Sequence, residues 1–285
     1  MDAVAARRVQ RAWGLLPTLI SECRNATRES VGDAQTRAWA LLTTAYEIAA
    51  GLVVMLGYED LAWLAAERAM DAAGRCGDLV ALASAQHWTS WILRRKGRYA
   101  ESQALATRAA ERHEPSLMRA TADQLTVWGG LLVNASGAAA RAEHGDTAED
   151  LLTIAEGAAG RLAANRAGRW SDFGPRTVAQ TRVVNAVHAG DFDTAVRLAA
   201  RVDHVGGHLP ATWEARYQLA LAQAHNETGA DHGTISALTT ATRLAGEWVR
   251  YHHLARDLTT DLISRVSPHR NQQLDALVRH LQLAT

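Results

Sequence analysis

Four times in this chain a glycine is followed, five residues on and again seven beyond that, by a small or apolar side chain. The sets are Gly57, Ala62 and Ala69; Gly97, Ser102 and Ala109; Gly190, Ala195 and Val202; and Gly229, Thr234 and Ala241. Each lies where one helical pattern gives way to another. A residue that accepts a left-handed backbone lets the chain reverse, and small side chains at fixed offsets let the second helix approach the first closely. Recurrence of one such frame marks stacked helical hairpins, each burying its apolar face against its neighbours. Gly145 reads as a fifth turn glycine, with Asp150 and Gly157 at its small-residue positions, a degenerate copy.

Composition agrees with an all-α chain. Of 285 residues, 48% are hydrophobic and five are proline, so helix is favoured, disorder disfavoured and almost no strand expected. A stack spreads its core along its length, which predicts one elongated domain. Residues 1–32 are expected as N-terminal capping helices broken near Leu16 by Pro17. Residues 33–166 form the first half of the stack, 175–246 the second, and 247–285 three capping helices separated near Arg250 and Pro268. Ala167–Gly174 is the interior break, and Pro175 starts the next helix. A long helix is expected from Ser116 to Ala142, where Gly129, Gly130 and Gly137 each weaken it by about 1 kcal/mol. A kink or a close helix crossing would account for them.

The formal charge is zero, so no global field draws the chain to nucleic acid or an anionic membrane. Cys23 and Cys76 have neither CxxC spacing nor the density of a disulfide scaffold, and suit a reducing cytoplasm. Arg7, Arg8 and Arg11 are not followed by a signal-peptide core, and the most apolar run, Ile48–Leu56, is too short to span a bilayer. A cytoplasmic protein is the expectation. Lys96 is the only lysine, an arginine bias typical of GC-rich, actinobacterial coding sequence.

Gly97-Arg98-Tyr99, small residues at the two later positions and then Pro115 resemble the tetratricopeptide repeat. Turn glycines 40, 48, 45 and 39 residues apart imply helices longer than usual or loops with insertions. From residue 173 onward the chain resembles the C-terminal sensor region of actinobacterial regulators that join an Xre-type helix-turn-helix to such repeats. The matching segments are Phe173-Gly174-Pro175, Gly190-Asp191-Phe192, Arg201-Val202-Asp203, Leu209-Pro210 and Arg250 through Arg256. Leu15–Ala49 and Leu61–Ala69 are similar to the family's first repeats. The resemblance implies a tetratricopeptide-like α-solenoid of stacked antiparallel helix pairs, wound as a right-handed superhelix. It also implies a sensor of a peptide or small-molecule effector. Thr177 and Thr181 stand where the family usually has Asn and His, and Ala220 where it commonly has Asp. No helix-turn-helix precedes the repeats, so either a DNA-binding domain has been removed or the chain is a stand-alone relative; no direct nucleic-acid contact is expected of it.

In tetratricopeptide stacks the first helix of each pair lines the concave surface, and side chains three, four and three residues apart share that face. The rows are Thr44, Glu47, Gly51 and Val54; Ser84, His87, Trp91 and Arg94; Thr177, Gln180, Val184 and Val187; and Arg216, Leu219, Gln223 and Asn226. Polar groups above an apolar floor suit a small organic ligand or peptide. Trp39, Trp63 and Trp88 read as core, whereas Trp91, Trp128, Trp170 and Trp213 could offer a flat apolar face with one donor. The candidate ligand-binding set is Glu47, His87, Trp91, Arg94, Trp128, Arg176, Thr177, Gln180, Trp213 and Arg216. Arg94, Arg95, Lys96 and Arg98 form the one dense basic cluster, either an anion site or a solvated helix end.

The twelve histidines show no metal-ligand spacing: His204 and His208 flank a Gly-Gly loop, and His252 and His253 are expected to point to different sides of a helix. No nucleophile elbow, phosphate-binding loop or dinucleotide fingerprint occurs, so neither a catalytic residue nor a cofactor is nominated. The sequence thus reads as a ligand- or peptide-sensing module whose effector alters the superhelical pitch or a homodimer contact. The rival readings are a stand-alone adaptor for another protein and a biosynthetic enzyme on a solenoid scaffold.

Overall fold

The computed structural model describes residues 3–55, 57–116, 118–162, 164–167, 172–202, 204–207, 209–267 and 271–283, with backbone alone for 3–12, 55, 166 and 167. Trp170, Asp203, His208 and Pro268 lie outside these residues. One compact unit is Arg7–Val178; Ala179–Thr285 falls in the other, with Met1–Ala6.

The helices of the first unit are α1 (Ala3–Glu29), α2 (Gly32–Met55), α3 (Glu59–Cys76), α4 (Leu79–Arg95), α5 (Tyr99–Arg112), α6 (Ala122–Arg141) and α7 (Gly145–Ala159). Two-residue strands β1 (Arg166–Ala167) and β2 (Asp172–Phe173) pair antiparallel, Arg166 opposite Phe173 and Ala167 opposite Asp172. Then come α8 (Pro175–His188), in which the unit boundary falls, α9 (Phe192–Val202), α10 (Ala211–Glu227), α11 (Asp231–Arg250), α12 (His253–Arg265) and α13 (Gln272–Leu281). The architecture is all-α, a stack of paired antiparallel helices, and β1 with β2 is the sole departure among the described residues.

One hydrogen-bond pattern closes the hairpins. At the first turn the Gly57 N–H donates to Val54 O and the Tyr58 N–H to Val53 O, each at 3.0 Å, with Gly57 at φ 82°. The pattern repeats at Gly97, Gly190 and Gly229, a left-handed C-terminal cap that satisfies helix carbonyls left without partners. The remaining turn corrects the sequence reading. Its left-handed residue is Glu143 (φ 63°), whose N–H donates to Ala140 O at 3.3 Å while the His144 N–H donates to Ala139 O at 2.9 Å. Counted from Glu143 the small-residue positions become Ala148 and Ala155, 3% and 0% exposed, instead of the exposed Asp150 and Gly157. The hairpin is regular. Backbone conformation, not glycine identity, defines the frame, and all ten small-residue positions are buried to 3% exposure or less.

Within the first unit α2, α4 and α6 are successive neighbours, and α3, α5 and α7 pack beside them. Helix α6 is its centre. It starts at a capping box, Thr121 with Gln124, six residues later than expected, and every residue from Leu125 to Ala140 is buried. No kink interrupts it; its glycines admit neighbours instead. A Cβ on Gly129 would lie 2.1 Å from the Phe173 ring, and one on Gly137 the same distance from Arg94 Nη1. The expected break near Leu16 is also absent, since α1 runs on through an exposed Pro17, where water can satisfy the carbonyl that proline leaves unpaired.

In the second unit Val183, Val187, Ala195, Ala199 and Val202 of α8 and α9 close on Tyr217 and Ala224 of α10. A second cluster joins α10 through α13 around Leu238, Leu262 and Leu274. Helix α11 kinks at Ala245 (φ −146°, ψ 55°), close to where a new helix was expected.

Candidate functional site

The face formed by α2, α4 and α6 carries a run of polar side chains with little exposure to water. Glu47, on α2, is 3% exposed and accepts a 2.7 Å hydrogen bond from the hydroxyl of Ser84 on α4. One turn further along α4, His87 meets Asn134 of α6. The Asn134 amide nitrogen lies 3.0 Å from His87 Nδ1, 3.0 Å from the His87 carbonyl and 3.2 Å from Ser90 Oγ. Its Oδ1 accepts from Arg94 Nη2 at 3.1 Å. The amide NH2 can only donate, so His87 Nδ1 is the acceptor and the ring's proton sits on Nε2. Burial and the neighbouring Arg94 cation push the His87 pKa down to about 4, against a backbone hydrogen bond with Gly130 that pulls the other way. The imidazole is neutral at physiological pH.

Glycine shapes this face. The Arg94 guanidinium lies over Gly137, and Gly51 of α2 leaves room for the Trp88 ring, whose nearest atom would be 3.1 Å from an added Cβ. Trp91 meets Trp88 edge to face with centroids 5.5 Å apart, and the Arg95 guanidinium sits 5.7 Å from the Trp91 ring. Helix α6 adds a second guanidinium. Arg141 reaches back one turn and donates to the Gly137 carbonyl at 2.8 Å, and burial lowers its pKa to about 10.

The basic cluster therefore divides. Arg95 pairs with Glu59 at 3.4 Å, Lys96 with Asp60 and Arg98 with Glu101, all at the surface, while Arg94 alone turns onto α6. Of the nominated residues, Glu47, His87, Trp91 and Arg94 share the α2–α4–α6 face. Trp128 stands apart from that face: it is 4% exposed in the core, its indole N–H donates to Ala110 O at 3.1 Å, and it lines a cavity of about 150 Å³ near Pro115. Trp39 and Trp63 are half-buried, with Arg75 and Arg98 each 5.2 Å from their ring centroids.

Arg176 and Thr177 are organised by Asn165. Its Oδ1 accepts the Arg176 backbone N–H at 2.8 Å, and its Nδ2 donates to the Thr177 hydroxyl at 2.8 Å. Beside them burial raises the Asp172 carboxyl to about 6. In the second unit Gln180 donates to the buried Glu214 at 2.7 Å, and the Arg216 guanidinium lies 4.9 Å from the centre of Trp248. Trp213 is half-buried. His252 and His253 do not diverge: their rings stack at 5.0 Å.

Sequence reasoning missed Asn134, Arg141, Asn165 and Glu214. Asn134 was the most legible, an amide inside the run from Leu125 to Ala140. Counting from Glu143 would have placed Gly130 and Gly137 of α6 in line with Ser84 and Trp91 of α4.

Fold and site together define a helical-repeat protein with a buried polar network on the first-helix face of its hairpins. No family model and no curated protein matches the chain. Among solved structures, the crystal structure of BtubC (BKLC) from P. vanneervenii is similar with a TM-score of 0.57, covering 86% of this chain and 93% of that one at 14% identity. At that identity the likeness concerns the fold. No helix among the described residues is long and apolar enough to cross a membrane.

Proposed function

We propose that this chain is the sensing module of a bacterial transcriptional regulator, and that a peptide or small-molecule effector binds on the α2–α4–α6 face. The observation that carries this is the run of buried Glu47, Ser84, His87 and Asn134 with the half-buried Arg94 across three adjacent helices. A stack needs only apolar and small residues there. Five polar groups there cost desolvation, and recognition of a polar ligand is a use that accounts for them. The assignment to a regulator draws on the resemblance around Phe173-Gly174-Pro175, and that to the cytoplasm on two cysteines without disulfide-scaffold spacing. The similarity to BtubC (BKLC) supports the helical scaffold.

Trp91 is the reporter. Short peptides and cell metabolites are titrated into the full chain while tryptophan emission is followed. A saturable change that disappears in Trp91→Phe and weakens in Arg94→Ala is expected. If every ligand that binds acts equally on wild type and both variants, the site lies elsewhere. A stoichiometric protein partner whose capture survives exhaustive dialysis would favour the adaptor reading instead.

A further inference from the structure

The two guanidiniums at Gly137 differ in how they are satisfied. Arg94 donates to Asn134 Oδ1, and its Nη1 lies 2.1 Å from where a Gly137 Cβ would be. Arg141 Nη1 is 3.6 Å from that same point, so both cations occupy one notch that exists because α6 has no side chain there. Arg141 is half-buried, and among the described residues its one side-chain hydrogen bond is to the Gly137 carbonyl. Among the described residues it forms no ion pair, and the Tyr99 phenol is the one ionisable group that acts on it favourably. A guanidinium has five N–H donors in a planar fork, and a desolvated one with a single neutral acceptor is poorly compensated. An anion placed against the open fork of Arg141 would relieve it.

We infer that the Gly137 notch is an oxyanion subsite, where Arg141 and Arg94 together hold a carboxylate or phosphate group of the effector. The inference rests on reading this face as a binding face, and it adds the chemical class of the ligand. Arg141 supplies the open fork, and Arg94, fixed by Asn134, supplies the second charge. The neutral His87 adds no charge of its own. Arginine suits such a role because its donors match the spacing of two oxygens on one carboxylate or phosphate. Carboxylate and phosphate remain to be separated by experiment.

The full chain is titrated by calorimetry with inorganic phosphate and, separately, with an N-acetylated tripeptide bearing a free or an amidated C-terminus. Chloride keeps the ionic strength constant. Saturable binding of phosphate or of the free-acid peptide is expected, at least about tenfold weaker in Arg141→Gln and unchanged in Arg279→Gln, an exposed arginine paired with Asp275. The amidated peptide reports whether the carboxylate is the bound group. Equal affinity in wild type and Arg141→Gln, or no saturable binding of any probe to folded wild type, overturns the inference. Should Arg141→Gln lose its helical circular dichroism, Arg141→Lys keeps the charge without the fork, and it must also bind several-fold more weakly. A ligand that quenches Trp91 yet is indifferent to Arg141→Gln leaves the binding face standing and sinks the oxyanion subsite. Arg141-dependent phosphate binding with no ligand acting through Trp91 does the reverse.

Discussion

Replacing Glu143 by glycine should stabilise the protein. Glu143 holds the left-handed position of its turn, which glycine holds in the other four hairpins, and among the described residues its exposed side chain forms no ion pair or hydrogen bond. A Cβ in that conformation costs about 1–2 kcal/mol, while glycine's extra freedom in the unfolded chain takes back about 0.5–1 kcal/mol. The net gain is about 0.5–1 kcal/mol, a rise of about 1–4 °C in the thermal midpoint for a unit of this size. Urea unfolding should show a higher midpoint with an unchanged slope. Glu143→Ala removes the side chain but keeps the Cβ and should gain nothing. Gly97→Ala is the reciprocal case: an added Cβ would touch nothing within 4 Å, so its expected loss of about 1 kcal/mol is purely conformational. The reasoning fails if Glu143→Gly destabilises, or if Glu143→Ala stabilises as much.

Four other outcomes follow from the packing and the buried charges. Ala155→Leu should cost about 1–3 kcal/mol by overpacking, whereas Gly157→Ala, with open space around its Cβ, should gain up to about 1 kcal/mol; the reverse order would restore Gly145 as the frame residue. Gly129→Ala should be strongly destabilising in wild type but near neutral or better in a Phe173→Ala background, and urea titrations that give additive effects would show the ring does not rest on Gly129. Asn134→Ala leaves partners on Arg94, His87 and Ser90 without their bonds, an expected loss of about 2–4 kcal/mol; less than about 1 kcal/mol in urea unfolding would deny it the role of hub. His87 has its folded pKa depressed to about 4, so its contribution is complete above about pH 6.5 and is lost as pH falls towards 4, about 3 kcal/mol in all. The raised carboxyl of Asp172 acts oppositely, since its contribution is present at low pH and lost as pH rises through about 6. His113 and His225, both depressed by burial, add to the His87 trend. Urea midpoints from pH 7 to 5 should therefore fall more steeply in Asp172→Asn and less steeply in His87→Gln.

The hairpins were readable because their physics is local. A left-handed cap and two small residues lie within thirteen positions of one another, so Gly57, Gly97, Gly190 and Gly229 announced their turns without knowledge of the tertiary structure. Glu143 was missed for the same reason: a charged residue can be held left-handed once the helices on either side are packed, and nothing in its neighbours says so. The site was less legible because its contacts are long-range. His87 and Arg94 were found by counting along one helix, but Asn134 lies 47 residues beyond His87 and enters the network only because α4 and α6 are adjacent. Trp128 differs in the opposite sense. Along the sequence its indole reads as a binding surface, whereas in the fold its N–H donates to the Ala110 carbonyl in the core.

A polar network already satisfied from within sets a condition on any ligand. Asn134 engages both Arg94 and His87, and Ser84 engages Glu47, so a molecule that displaces these partners gains only the difference between two sets of hydrogen bonds. A neutral polar ligand entering at Asn134 would exchange like for like and bind weakly. Arg141 is placed otherwise, with one neutral acceptor for a five-donor cation, so a group arriving there replaces poor compensation with good. The same asymmetry ties binding to conformation. An anion held at Gly137 would compete with Asn134 for the Arg94 guanidinium, and Asn134 is bonded to α4 at His87 and Ser90. Occupancy of the notch would then be felt at the α4–α6 contact, the joint between two successive hairpins. In a stack whose members touch only their neighbours, a small rotation at one joint is passed on undiminished.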